Sequence, residues 1–408
     1  MKTIFENIDS HRKDMIELQS LLTSIPALAP ESGGDGELKK CEALEKYLKK
    51  HGIKQLERFD APDNRVKSGI RPNLVATIPG ETDDEKLWIM THMDVVPEGD
   101  LSLWQTDPWK VVEKDGKLFG RGVEDNQQGL VSSVFAALSL LENNIKPKRT
   151  VKLLFVADEE VGSKYGISYL LANHKLFSKN DIILVPDGGD SKGETIELAE
   201  KSILWLKITT KGKQTHASRP DNGINAFLAN CDLALKLNNL ENLFHERNPM
   251  FDPDRSTFQP TKKEANVPNI NTIPGEDIFF LDSRILPCYN LNKVRQEIKL
   301  CIKEVEATHK VKISTQEVQA EQSPSTPNDA KVVSLLSDAI KKVYKKNSRI
   351  IGIGGGTVAG LLRKAGFYAA VWGKLDECAH NPNEYSKIDN MLGDAKVMAY
   401  MMMGEKQN

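Results

Sequence analysis

Apolar positions spaced three and four apart predict helices over residues 10–24 and 36–52. Short apolar runs then predict strands at Asn73–Ile78, Leu87–Thr91, Val151–Ala157 and Asp181–Val185, with a helix over Gln127–Leu141 among them. Strands alternating with helices predict an α/β domain whose largely parallel sheet is covered on both faces. The Gly- and Asp-rich stretch DGGDSKGE near residue 190 reads as a turn or linker. From Ile203 to about Ser314 the order becomes strand, helix, strand, helix, strand, which suits a small α+β domain. EQSPSTPNDA reads as the return linker. Beyond it, the helices Asp329–Tyr344, Thr357–Lys364 and Asn390–Met403 alternate with an apolar strand, Tyr368–Trp372. The expected organisation is one domain made from residues 1–195 and 317–408, with a second domain, 196–316, inserted. The polar, Pro-containing stretch from about 245 to 265 is assigned to no element.

Length and charge narrow the function. A chain of 408 residues exceeds one compact core, which agrees with two domains. Its 55 basic and 57 acidic residues nearly cancel, so no global field draws it to nucleic acid or to an anionic membrane. Charge interrupts every apolar run near the N-terminus, and no run is long enough to span a bilayer. The five cysteines are scattered, odd in number and without a CxxC pair, which points to a reduced, cytoplasmic setting.

The candidate chemistry follows the strands. Four polar clusters sit just past apolar runs: THMD after KLWIM, DEE after VKLLFVA, PDGGD after DIILV, and ECAHNPNE a few residues beyond AAVWG. Ligands of open parallel sheets bind outside the carboxyl ends of the strands, so one sheet could gather all four. A fifth element, GRGVEDNQQG, is a Gly-rich loop leading into a helix. Imidazoles and carboxylates are the donors that zinc takes, and two such ions can share a bridging carboxylate and water. Taken singly, each cluster also reads as a turn, a solvated acidic loop or a hydrogen-bonded histidine. Their joint occurrence, in order and each past a strand, favours the metal site. No G-x-S-x-G occurs, and GIGGG at 352–356 lacks the lysine of a phosphate loop.

These residues together resemble the family of aminoacylase, glutamate carboxypeptidase, bacterial dipeptidases, acetylornithine deacetylase and succinyl-diaminopimelate desuccinylase. The motifs are THMDVVPEG, W-x-TDPW, GRGVEDNQQG, DEEVGS, PDGG, THASRPDNGINA, NINTIPGE with LDSR, GGGT and AHNPNEY. The resemblance implies a zinc-peptidase-like catalytic domain with an inserted α+β dimerisation (lid) domain, and a homodimer formed through the latter. It implies two divalent ions, zinc by family habit, with cobalt and manganese suited to the same donors. His92 and Asp187 would complete one site, Glu160 and His380 the other, and Asp125 would bridge them. Asp94 would hydrogen-bond the far nitrogen of His92, and the Asp125–Asn126 peptide would be cis. Glu159 would be the general base, and His216 would reach the partner subunit's active site. Arg284, Asn271, Gly355, Gly356 and Thr357 would contact substrate. For Arg284, an ion pair with Asp282 or Glu276 is the plainer alternative; the clamp on a substrate carboxylate is favoured. Three positions depart from the pattern. Asp187 stands where the deacylases usually carry Glu, Gln127 where many members have Lys, and Val358 where an acid is common.

The expected activity is hydrolysis of an amide in a dipeptide or other short substrate with a free carboxylate. An N-acyl amino acid deacylase or desuccinylase is the alternative within enzymes. A catalytically inactive ligand-binding relative is the alternative of another class.

Overall fold

The computed structural model describes residues 1–404; the last four residues of the expected segment 317–408 lie outside the described residues. The chain divides into two compact units. One comprises Met1–Leu198, Thr326–Ile350 and the residues from Leu361 onward; the other comprises Ala199–Ser325 and Ile351–Gly360. The second unit thus runs past the expected end at 316. Its last strand, Lys312–Glu321, continues through positions that are nearly all exposed, Val318 and Ala320 included. Residues 351–360, expected with the catalytic domain, cluster instead with the second unit.

The first unit is organised on the large sheet. Its central strands, Arg149–Val156, Thr82–His92, Ile182–Val185 and Ala369–Val371, are neighbours in that order and all parallel. On one side Ile70–Ile78 and then Gln55–Pro62 add antiparallel, and on the other Thr195–Glu200 meets Ala369–Val371 antiparallel. The largely parallel expectation holds for the centre, whose strands are buried nearly throughout and so read as continuous apolar runs. The helix Gln127–Glu142 is buried from Gln127 to Leu140, as a helix apolar on all sides requires. The helix Ile388–Met403 lies against it, where Ser132 Oγ donates to the Met391 carbonyl at 2.9 Å. A helix over Lys2–Ser10 was not anticipated.

Parallel register puts the ends of the central strands level. His92 stands beside Val156, so residues 158–160 follow within one turn of its backbone. A buried ion-pair cluster fixes that turn. The Arg71 guanidinium is paired bidentately to Glu37, with Nε donating to Oε2 at 2.6 Å, and its Nη1 lies 3.2 Å from Asp158 Oδ1. Such a fork holds its carboxylates in a defined plane. Asp158, at φ 65°, is thereby held where the chain bends into Glu159 and Glu160.

The second unit has a four-stranded antiparallel sheet in the order Thr257–Lys263, Glu276–Ile285, Ser202–Lys211, Lys312–Glu321. Leu204, Leu206 and Ile208 alternate inward and pack with Leu233, Leu237, Val294 and Ile298 of the helices Ala226–Asn238 and Leu291–His309. The unassigned stretch 245–265 supplies the edge strand Thr257–Lys263, in which Phe258 is buried and the rest is polar. Among the described residues no helix is long and apolar enough to cross a membrane. All five cysteines are free thiols.

Candidate metal centre

The carboxyl ends of the central strands bring His92, Asp125, Glu160, Asp187 and His380 to one place. His92 closes the strand Thr82–His92, and Glu160 and Asp187 follow the next strands on either side. Asp125 ends the Gly-rich loop before the helix Gln127–Glu142, and its peptide bond to Asn126 is cis. The two histidines face opposite oxygens of this one carboxylate. His92 Nε2 lies 2.9 Å from Asp125 Oδ1, and His380 Nε2 lies 3.1 Å from Asp125 Oδ2. His92 Nε2 is also 3.6 Å from Asp187 Oδ1, and His380 Nε2 is 3.0 Å from Glu160 Oε2. Each imidazole thus has its own acid beyond the shared one.

The electrostatics call for cations. Burial pushes the carboxyls of Glu159, Glu160 and Asp187 up, Glu159 most strongly, with neighbouring acids adding to it. Among the described residues no lysine or arginine is ion-paired to Asp125, Glu159, Glu160 or Asp187. Only the imidazoles compensate. Hydrogen bonds to Asp125 and Glu160 raise His380 to about 10, and the surrounding carboxylates raise His92 although burial opposes its charge. Glu160 Oε1 is buried and has no hydrogen-bond partner. A cluster of close acids with an orphaned carboxylate oxygen is a poor protein interior and a good cation cage. His92, Asp125 and Glu160 offer donor atoms within 4.8 Å of one another, and so do His92, Glu159 and Asp187. The donor set, imidazole nitrogen and carboxylate oxygen, fits two divalent ions.

Two positions differ from expectation in detail. The Asp94 carboxylate accepts the backbone N–H groups of Glu159 at 3.1 Å and Glu160 at 3.0 Å. His92 Nδ1 instead lies 3.0 Å from the Asp94 carbonyl oxygen, with Oδ1 at 3.5 Å. Asp94 therefore orients the DEE loop as well as the imidazole. Glu159 lies near His92 and Asp187, so proximity alone does not set it apart from the ligands.

Several residues escaped the sequence reading. Asn126 Nδ2 donates to Asp187 Oδ1 at 2.7 Å and to the Pro186 carbonyl, fixing one acid. Glu384 Oε2 accepts from Gly122 N and Arg121 Nη1, and Oε1 accepts from Glu124 N and Asp125 N. Glu124 in turn accepts from Asp376 N at 2.6 Å and Cys378 N at 2.7 Å. Arg121, Glu124, Asn126 and Glu384 lie inside the motifs GRGVEDNQQG and AHNPNEY, whose length beyond the ligands was the available signal.

The expected substrate contacts all belong to the second unit. His216 lies in a two-residue strand paired with Thr272–Ile273, and the Asn271 amide comes within 3.5 Å of its Nε2. Ser218 N–H donates to His216 Nδ1 at 3.1 Å. Arg284 shares a face with Asp282, and here the plainer alternative is the one observed. Its Nε and Nη2 donate to Asp282 at 2.8 and 3.1 Å, and Nη1 donates to the Gly354 carbonyl at 2.7 Å. The guanidinium is a brace for the glycine loop with two N–H groups left over, not an open fork. Gly355 and Gly356 have open space around them, and Thr357 Oγ1 bonds Glu200.

Two imidazoles on one carboxylate, beside three further acids at the end of a largely parallel sheet, form a donor set for divalent ions. The chain belongs to peptidase family M20/M25/M40, which matches residues 88–404. It is 42% identical to an uncharacterized metallohydrolase of Methanocaldococcus jannaschii, over 94% of this chain and 98% of that protein. It is 27% identical to a succinyl-diaminopimelate desuccinylase of Rickettsia prowazekii, over 91% of this chain and 94% of that one. Among solved structures, the aminopeptidase PepT of Bacillus cereus shares the fold, with a TM-score of 0.75 and 18% identity over 96% of this chain and 98% of that one.

Proposed function

We propose that this metallohydrolase cleaves the amide bond of a dipeptide or other short substrate bearing a free carboxylate. The observation that carries the reading is Asp125, whose two oxygens face His92 and His380. His92 and Asp187 would hold one divalent ion, Glu160 and His380 the second, with Asp125 between; zinc is our preferred metal, and cobalt or manganese suits the same donors. When bound, such ions polarise the amide carbonyl and lower the pKa of water toward neutrality. Glu159 takes a proton from the attacking water, whose oxygen bonds to the amide carbon. The C–N bond then breaks, and Glu159 returns the proton to the departing nitrogen. His216 Nε2–H donates to the developing oxyanion. Asn271, the free N–H groups of Arg284 and the backbone at Gly355, Gly356 and Thr357 would receive the substrate carboxylate.

The desuccinylase named among the relatives favours a second reading, N-acyl amino acid deacylation. Asp187 in place of Glu is what favours the peptidase side. A catalytically inactive relative is disfavoured, because the ligand set and Glu159 are complete. A panel of free dipeptides, C-terminally amidated dipeptides, and acetyl- and succinyl-amino acids on the metal-loaded protein decides among them. Free dipeptides should be hydrolysed at least tenfold faster, by kcat/KM, than their amides. Faster hydrolysis of a succinyl- or acetyl-amino acid than of any dipeptide would shift the assignment to the deacylase, and no hydrolysis at all would favour the inactive relative.

We also propose a homodimer through the second unit, with His216 acting in the partner's site. The edge strand Lys312–Glu321 is paired on one side only, and Phe227, Leu228 and Leu235 are exposed on the helix Ala226–Asn238. His216→Ala and Glu159→Ala subunits, each inactive alone, should recover part of the activity when mixed and exchanged. Proven exchange without recovery would place His216 in its own subunit's chemistry or outside it. The free thiols accord with a cytoplasmic setting, and neither nucleic acid nor a membrane figures among the partners we propose.

A further inference from the structure

Two glutamates that hold no proposed ion connect the loops carrying Asp125 and His380. Glu124, adjacent to Asp125, reaches across to the other loop. Its Oε1 accepts the N–H of Asp376 at 2.6 Å and its Oε2 that of Cys378 at 2.7 Å. Glu384, four residues beyond His380, reaches the opposite way. Its Oε1 accepts the N–H groups of Glu124 at 2.9 Å and Asp125 at 3.1 Å, and its Oε2 accepts that of Gly122 at 3.0 Å. Both side chains are buried. Arg121 Nη1 lies 2.8 Å from Glu384 Oε2 and its Nη2 donates to the His380 carbonyl at 3.3 Å. The two loops are thus cross-linked reciprocally, each by a carboxylate that grips the other's backbone beside a metal-facing side chain.

The chemistry of this exchange is specific. Every Glu124 and Glu384 oxygen accepts at least one N–H, and five of these donors are main-chain groups. A carboxylate accepts on both oxygens, whereas an isosteric amide would turn one acceptor into a donor facing another donor. Neither loop can then keep its shape, although side-chain volume is unchanged. His380 has φ 64° and a side chain 55% exposed, so its own packing does little to aim it. Residues 376–378, just before it, are held by Glu124, while Arg121 holds its carbonyl.

We propose that Glu124 and Glu384 are positioning residues for the metal cage and act unequally on its two halves. Glu124 sets His380, and so governs the ion on the His380–Glu160 side. Glu384 sets Asp125, which faces both histidines, and so governs both ions. The proposal rests on the two-ion reading above and is tested separately from it.

The test is a cobalt titration of metal-free protein, followed by visible absorption and calorimetry, with H92A and H380A as references that assign the two binding steps. Wild-type protein binding fewer than two ions would remove the two-ion reading itself. Given two ions, E124Q is expected to weaken the His380-side ion about 10–100-fold and to leave the other within about threefold. E384Q is expected to weaken both. E124D keeps both acceptor oxygens and should bind the His380-side ion more tightly than E124Q. Circular dichroism and Tm of the metal-free variants report folding independently. E124Q weakening both ions alike, in step with a loss of folded metal-free protein, would make Glu124 merely structural. Unchanged affinities in E124Q or E384Q would overturn the proposal for that residue.

Discussion

Glu159→Gln should retain two ions per chain and lose about 10²–10⁴-fold in kcat, with KM little changed. The amide occupies the carboxylate's volume but cannot accept a proton from water. The Asp94 carboxylate holds the backbone N–H groups of both Glu159 and Glu160, so the loop should keep its shape in the variant. Glu160 Oε2 lies 3.0 Å from His380, in keeping with the ligand role proposed for it. Yet Glu159 also lies near His92 and Asp187, and geometry would let it bind an ion. Metal analysis beside steady-state kinetics separates the roles. A variant that loses an ion but keeps its turnover per bound pair would exchange the roles of Glu159 and Glu160.

Exhaustive chelation should reduce hydrolysis to background, and zinc, cobalt or manganese should restore it. The same treatment should lower Tm, because ions bound only by the folded state stabilise it. The reason is electrostatic. Asp125, Glu159, Glu160 and Asp187 are crowded together, and within the site only His92 and His380 offset their charge. Glu160 Oε1 meanwhile has no partner at all. Full activity with one ion per chain, or with none, would refute the two-ion site.

The strand-end clusters were legible because each polar group directly follows an apolar run, and parallel strands bring such positions level. The clusters that hold His92, Glu160, Asp187 and His380 were found by that rule. Which residue of each would face a metal, and the part of Asp125, came from the family resemblance. What the sequence concealed has physical causes. The Thr257–Lys263 strand buries only Phe258 firmly and contains Pro260, so its period was invisible, as an edge strand's often is. Lys312–Glu321 runs on through exposed positions, where Val318 and Ala320 join no core and leave no continuous apolar run. Glu124 and Glu384 pair with backbone more than 250 residues away, and no local pattern reports that. For Arg284, alternation correctly set it beside Asp282, but the sequence could not show that Asp282 and the Gly354 carbonyl would occupy most of its donors.

The placement of His380 bears on how the molecule is made. A ribosome releases the chain from its N-terminus, so His92, Asp125, Glu160 and Asp187 exist long before residue 380 is translated. The helix Gln127–Glu142 is also made before its cover, Ile388–Met403, and before the central strand Ala369–Val371. Until residues 369–403 emerge, that apolar helix lacks part of its cover and the cage lacks one of its five side chains, a partly folded state of the kind chaperones meet. The proposed cage is complete only once residue 380 has been made.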